Sequence, residues 1–124
     1  PVPLHSSAVG KLFAAHDPEL EKIAASSDLA ALTPNTITSK SGLLAELEAI
    51  RERGFAMSME ETITGIIGFA APVCDGHGDL VAAVHVSAFK DYLANADIPE
   101  VTRQTKRCAE AIHNLLTGHT APEE

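Results

Sequence analysis

His85 and Ser87 stand two apart in the run LVAAVHVS at 80–87. On an extended strand both side chains leave the same face. An imidazole and a hydroxyl side by side can donate hydrogen bonds to an oxygen acceptor such as a carboxylate, and histidine as a residue type titrates near neutrality. The plainer alternative is a histidine at the edge of a core, bonded to a backbone carbonyl. A second anion-seeking element is Ser6-Ser7-Ala8-Val9, which reads as a helix start whose first N–H groups lack partners within the helix. Ordinary capping by a serine explains the same pattern without a ligand. Lys11 adds a positive charge nearby, although a lysine on a helix surface is usually just solvated.

The remaining reactive residue types do not assemble into a catalytic pattern. Glu60 and Glu61 are adjacent, so on a strand they point to opposite faces and do not converge on one substrate. One is expected in solvent, the other tethering a neighbouring loop or Lys11. The histidines, at 5, 16, 77, 85, 113 and 119, form no HxxxH, HExxH or Cys-His cluster, so no metal site is expected. A Ser-His-acid triad assembles in three dimensions and is not excluded by spacing. There is, however, no GxSxG elbow. No catalytic residue and no cofactor is assigned.

These groups must be positioned by a hairpin. Side chains alternate along a strand, so Leu80, Ala82, Val84, Val86 and Ala88 share one apolar face, and Val81, Ala83, His85, Ser87 and Phe89 the other. In the preceding apolar run, Ile63, Gly65, Ile67, Phe69, Ala71 and Val73 fall together, opposite Thr62, Thr64, Ile66, Gly68, Ala70 and Pro72. If the two smaller faces join on one side of the sheet, they leave space furnished with a few hydrogen-bonding groups, as in ligand cavities. The turn DGHGD at 75–79 supplies the glycines for the hairpin.

Around the hairpin the sequence predicts helices. Ser6 or Ser7 caps one running to about His16, with Leu12 and Phe13 turned inward. Asp17-Pro18 caps a second with Glu19 and Glu21 in its first turn. A loop follows over 28–38, then a third helix from about Ser41 with Leu43, Leu44, Leu47 and Ile50 on one face and Gly54 at its end. After a connector at 92–99, Pro99 opens a last helix whose stripe is Val101, Thr105, Cys108, Ile112 and Leu115, closed by Gly118. The tail HTAPEE is expected to fray. The expected core packs the third and last helices on the sheet's apolar face, burying Leu47, Ile50, Val84, Val86, Cys108 and Ile112.

The 124 residues suit one domain, spanning 1–124. At 45% hydrophobic but 4% aromatic, the core must come from Ala, Leu, Ile and Val. The net charge of −8 opposes binding to phosphate backbones, so the chain by itself is not expected to bind DNA. Cys74 and Cys108 form no CxxC pair and are expected as free thiols in a reducing, cytoplasmic setting. No run is long and apolar enough for a membrane span, and the start PVPLHSSAVGK does not read as a signal peptide. A start without Met suggests an excised piece of a longer protein.

PLHSSAVGK at 3–11, IRERGFA at 50–56, the EE pair at 60–61, GIIGFAAPVCD at 65–75 and LVAAVHVS at 80–87 occur together, in order, across nearly the whole chain. In these the chain resembles the effector-binding domain of the IclR family of bacterial transcriptional regulators. The resemblance implies an α+β fold, a GAF/PAS-like curved antiparallel sheet flanked by helices, here lacking the family's first strands and its DNA-binding winged helix-turn-helix. It implies a small-molecule effector, an organic acid, met by the amides of Ala8 and Val9, by Ser87, and at positions occupied here by Ser58 and Gly68. His85 replaces a small hydroxyl residue of the family pattern, and Ile66 would form an apolar wall. Ser58 is neutral where some members carry an acid, and Gly68 leaves volume where some carry a thiol, which points to an effector other than the smallest keto acids.

The expected function is therefore metabolite sensing for a DNA-binding regulator, acting through a homodimer or tetramer, with DNA engaged only by the absent N-terminal part. Missing strands would also leave a sheet edge that invites another chain. The alternatives are a small enzyme on a GAF-like scaffold and a ligand-free oligomerisation module; fold alone warrants neither.

Overall fold

The computed structural model describes residues 3–118; the tail HTAPEE, expected to fray, lies outside the described residues. The chain is α+β. Helices α1 (Ala8–His16), α2 (Pro18–Ser26) and α3 (Lys40–Arg53) precede strands β1 (Ala56–Met59), β2 (Ile66–Cys74) and β3 (Leu80–Phe89), and α4 (Ile98–Thr117) closes the order. The connector between β3 and α4 holds two short 3-10 turns, at Lys90–Tyr92 and Asn95–Asp97. The strands form one antiparallel sheet in the order β1-β2-β3.

Local chemistry sets the helix ends. The Ser7 hydroxyl accepts from the Gly10 N–H at 2.9 Å, capping α1. Asp17 accepts from the Glu19 N–H at 2.9 Å, with Pro18 opening α2. Gly54 ends α3 at φ 80°, a left-handed position where a side chain would be strained.

Cross-strand partners lie on the same side of a sheet, so the register assigns the two faces. Ile67, Phe69, Ala71 and Val73 stand opposite Ala88, Val86, Val84 and Ala82, and Phe69 also pairs with Met57. On the reverse side Gly68 stands opposite Ser87 and Ser58, and Ala70 opposite His85 and Ala56. The smaller faces of β2 and β3 are thus joined, and the alternation holds as read. The strand itself begins only at Ile66. Residues 60–65 form a turn, with Glu60 at φ 59° and Gly65 at φ 88°, so Ile63 leaves the bulky face and is exposed.

The helices are distributed differently from the expectation. The small-residue side of the sheet is covered by α1, and α3 packs behind it against α1 and α2 instead of lying on the apolar face. Leu12, Leu43, Leu47 and Ile50 meet Ala8, Ala56 and Ala70 in the main core, whereas Phe13 and Leu44 are half-buried. The apolar side is covered by α4 alone, through a smaller cluster of Ala71, Val73 and Ala109 with Val84 against it.

Two of the expected core residues are not buried. Cys108 is exposed and Ile112 is 36% exposed, while Val84 and Val86 are half-buried. The helix turns toward the sheet the row Val101, Thr105, Ala109 and His113, spaced four apart, of which Thr105 and Ala109 are buried. Small side chains on this row let the helix axis approach β2. The bulkier stripe of Cys108, Ile112 and Leu115 is turned past the sheet edge.

Candidate functional site

A cavity of about 150 Å³ lies between the N-terminus of α1 and the small-residue face of the sheet. Three elements build it. β2 gives Ile66 and Gly68, β3 gives His85 and Ser87, and β1 gives Ser58, all from alternate positions on one face. Ser7 and Ala8 close it from α1, and Thr62 and Ile63 from the 60–65 turn. Six of the residues picked from the sequence therefore surround one space: Ala8, Ser58, Ile66, Gly68, His85 and Ser87. Val9 does not line it; its side chain packs against the main core.

Gly68 creates the depth. A Cβ there would stand 3.4 Å from the Ala8 Cβ, 3.4 Å from the His85 Nε2 and 3.7 Å from the Ser58 Cβ, so any larger side chain would fill the cup. Among the described residues no hydrogen bond engages the Ser58 hydroxyl, the Ser87 hydroxyl or the His85 ring. At the helix start, Gly10 N–H is taken by Ser7 Oγ and Lys11 N–H by Ser7 O, which leaves Ala8 and Val9 N–H as the first orphan donors of α1. The site can thus present backbone N–H groups, hydroxyls and an imidazole to an oxygen-rich, small ligand beside the apolar Ile66.

The rim is held by a network in which the expected tether between Lys11 and one of the acidic pair, Glu61, is joined by partners that the sequence does not show. Lys11 is completely buried, contrary to the solvated lysine expected there. Its ammonium donates to Glu61 Oε1 at 2.8 Å, Glu46 Oε2 at 2.7 Å and Met57 O at 2.6 Å. Glu61 Oε2 in turn accepts from the Met59 N–H at 3.0 Å, so the carboxylate ties α1 to β1. The positive charge is spent on structure and does not face the cup.

Glu60 is the other half of the pair, and it braces the turn. It accepts from Gly65 N–H at 2.9 Å and pairs with Lys90 at 3.3 Å. The Gly65 N–H first, and Lys90 second, hold its carboxyl below the usual glutamate range. Thr33 and Thr36 donate to the carbonyls of Glu60 and Glu61, both at 2.6 Å, and Thr62 donates to Ser6 at 2.8 Å. These bonds fix the turn that carries Thr62 and Ile63 over the cavity. Ser7, Thr62 and Ile63 are not among the expected effector contacts; the signals for them were the place of Ser7 in the anion-seeking helix start and the alternation of Thr62 with Ile66 and Gly68.

Among the described residues no group of histidine, cysteine and carboxylate side chains could hold a metal ion, and Cys74 and Cys108 are free thiols. No helix among them is long and apolar enough to cross a membrane.

Comparison with known proteins adds relatives to this geometry. A family model described as the C-terminal part of the bacterial transcriptional regulator IclR matches residues 1–114. The glycerol operon regulatory protein of Streptomyces griseus is 36% identical over 116 residues, 92% of this chain and 46% of that protein. The crystal structure of Thermotoga maritima IclR superposes with a TM-score of 0.80 at 37% identity, covering 91% of this chain and 47% of that one. An inducer-binding domain of the PobR transcription factor from Acinetobacter, crystallised as a double mutant in complex with 3-hydroxybenzoic acid, gives a TM-score of 0.82 at 28% identity over 92% of this chain and 67% of that one. The chain spans about half the length of the curated relatives it matches.

Proposed function

The chain belongs to the IclR family of bacterial transcriptional regulators, matching its C-terminal part, and from that premise we propose that residues 1–124 form one effector-binding domain that takes up a small organic acid in the cup between α1 and the sheet. The observation that carries this reading is the convergence of Ser58, His85 and Ser87, none engaged in a hydrogen bond among the described residues, around a strand position left bare by Gly68. The acid group would sit against the Ala8 and Val9 N–H groups, where the helix terminus favours negative charge, with His85 and Ser87 donating from the sheet. The rest of the molecule would face Ile66 and Ile63. A cavity near 150 Å³ matches the engineered apolar cavity that admits benzene, so a one-ring or short-chain acid fits the volume. The binding of 3-hydroxybenzoic acid by the PobR domain supports this class.

The role is binding, with occupancy and not turnover as its output. In the intact cytoplasmic regulator, occupancy would shift the populations of quaternary states and so alter operator contacts made by DNA-binding parts outside this chain. Self-association into a dimer or tetramer belongs to the same reading. In this chain β1 and β3 are both edge strands, which offer unpaired N–H and C=O groups to a second chain, so the chain by itself should also self-associate.

The test begins with thermal shift against a panel of aliphatic and aromatic carboxylates, followed by calorimetry on the acid that raises the melting point. Ser87→Ala and His85→Ala should each weaken binding about tenfold or more, because a donor to a charged acceptor contributes about 1.5–3 kcal/mol. Gly68→Val should abolish binding by filling the cup while leaving the fold intact. Full affinity in both alanine variants would move the site elsewhere.

A further inference from the structure

We propose a second ligand site on the opposite face of β1, a groove between β1 and α4 that takes an amphipathic anion: an alkyl or aryl chain ending in a carboxylate or sulfonate. The groove has a volume of about 620 Å³, some four times that of the cup. Its size lies within the range of small-molecule pockets. Successive residues of a strand face opposite ways, so Met57 lines this groove while Ser58 lines the cup. The two spaces share a strand and no lining residue, and the groove does not depend on the effector reading.

The lining separates into an apolar wall and a cationic rim. Phe55, Met57, Ile98 and Pro99 form the wall; Arg103, Lys106 and Arg107 stand along the rim, with Glu110 the one acid among the lining residues. In a chain of net charge −8 carrying nine Lys and Arg, three gather within two turns of one helix beside an apolar wall, with both arginines already engaged and Glu110 among them. Arg103 is already paired with Glu100 at 2.7 Å. Lys106 is different. Its ammonium lies 5.5 Å from the centre of the Phe55 ring, and no acidic side chain pairs with it among the described residues. Arg53 approaches the same ring at 5.2 Å. Both cations near Phe55 thus leave the Met57, Ile98 and Pro99 surface as the place for an apolar chain, with its charged end at Lys106. A neutral or cationic ligand gains nothing from such a rim, which commits the site to an anion.

Anilinonaphthalene sulfonate and decanoate are suitable probes. The dye should bind saturably to the folded chain and be displaced by decanoate. Decanol, the neutral chain of equal length, should displace it far less well. Lys106→Glu should weaken decanoate about fivefold, the scale of an exposed ion pair, and Lys106→Gln by less. Lys22→Glu, which makes the same charge change on α2, should leave decanoate affinity unchanged. Circular dichroism establishes that each variant is folded. Equal displacement by decanol, or equal loss in the Lys22 and Lys106 variants, would overturn the proposal, showing association with exposed apolar surface or a response to net charge.

Discussion

The two sides of the sheet are made from similar residues and finished very differently. On the side covered by α1 and α3, Leu12, Leu43, Leu47, Ile50, Ala56 and Ala70 are all within 1% of full burial, and even a lysine is sealed in. On the side covered by α4, Phe69, Ala71 and Val73 of the central strand are sealed as well, but Val84 and Val86 remain half-buried, Leu115 is 82% exposed and Leu116 is 59% exposed. Periodicity gave each side its apolar stripe, but a stripe is buried only where a second layer lies against it. Two helices stack in depth on the first side; one helix crosses the second and leaves apolar surface open on either flank. Surface of this kind marks interaction sites more often than scattered exposed residues do.

The contrast can be broken most forcefully at Lys11. Lys11→Met should cost about 3–5 kcal/mol, because it strands Glu61 and the Met57 carbonyl without their donor in a buried setting. Urea denaturation measures it, and adding Glu61→Gln should recover part of the loss. A cost below about 1 kcal/mol would mean that the ion network is not what closes that side.

Next in size is the pair Leu47→Ala and Leu115→Ala. The first removes a fully buried side chain and should cost about 2–5 kcal/mol. The second should change stability by no more than about 0.5 kcal/mol, since its side chain is already in water. Similar values for both would erase the distinction between the two sides. Val84→Ala, half-buried under α4, should fall between them at about 1 kcal/mol.

The smallest effect is expected from acid. Glu60 is held below the ordinary glutamate value of 4.5 by the Gly65 N–H and Lys90. A carboxyl with a folded pKa below its unfolded one contributes stability at pH above the unfolded value, and that contribution fades as pH falls through the folded value. Glu60→Gln should therefore lower stability slightly at neutral pH, leave it unchanged in strong acid, and so flatten the acid limb below about pH 4.5. Glu100, pushed down to about 2 by Arg103 and then Gln104, titrates over the same range, and an exposed pair of this kind adds little. NMR titration of the glutamate carboxyls separates the two, and an unaltered acid limb in the Glu60 variant would remove the turn-bracing role.

Much of this architecture was open to reading along the chain because its causes are local. Serine before a helix bonds the N–H three residues on, Asp-Pro opens the next helix, and glycine ends α3 and α4 at positive φ; each outcome needs only neighbours in sequence. The two-residue alternation likewise fixed which side chains share a face within each strand, Ile66 with Gly68 and His85 with Ser87, while the register joined the two faces. Ala8 was marked by the helix start it belongs to, and Ser58 came from the family resemblance.

Other features depend on which surfaces meet, and sequence periodicity is silent there. A helix offers its sheet several rows, and α4 is seated by the row whose small Thr105 and Ala109 permit close approach, not by the bulkier Cys108–Ile112 stripe. That choice left Cys108 and Ile112 out of the core, and the stacking of α3 on α1 removed it from the sheet. Lys11 reads as a surface lysine until Glu46, Glu61 and the Met57 carbonyl, 35 to 50 residues away in sequence, converge on its ammonium. The lid of the cup has the same origin, since Thr62 and Ile63 are carried there by a turn that Thr33, Thr36 and Lys90 pin from distant segments. The sequence by itself determined the strand faces, the helix ends and the donors of the cup, because short-range geometry dictates them. Only the tertiary structure decided which cation is buried, which helix row touches the sheet and what closes the cavity, because each depends on surfaces that meet only when distant segments pack.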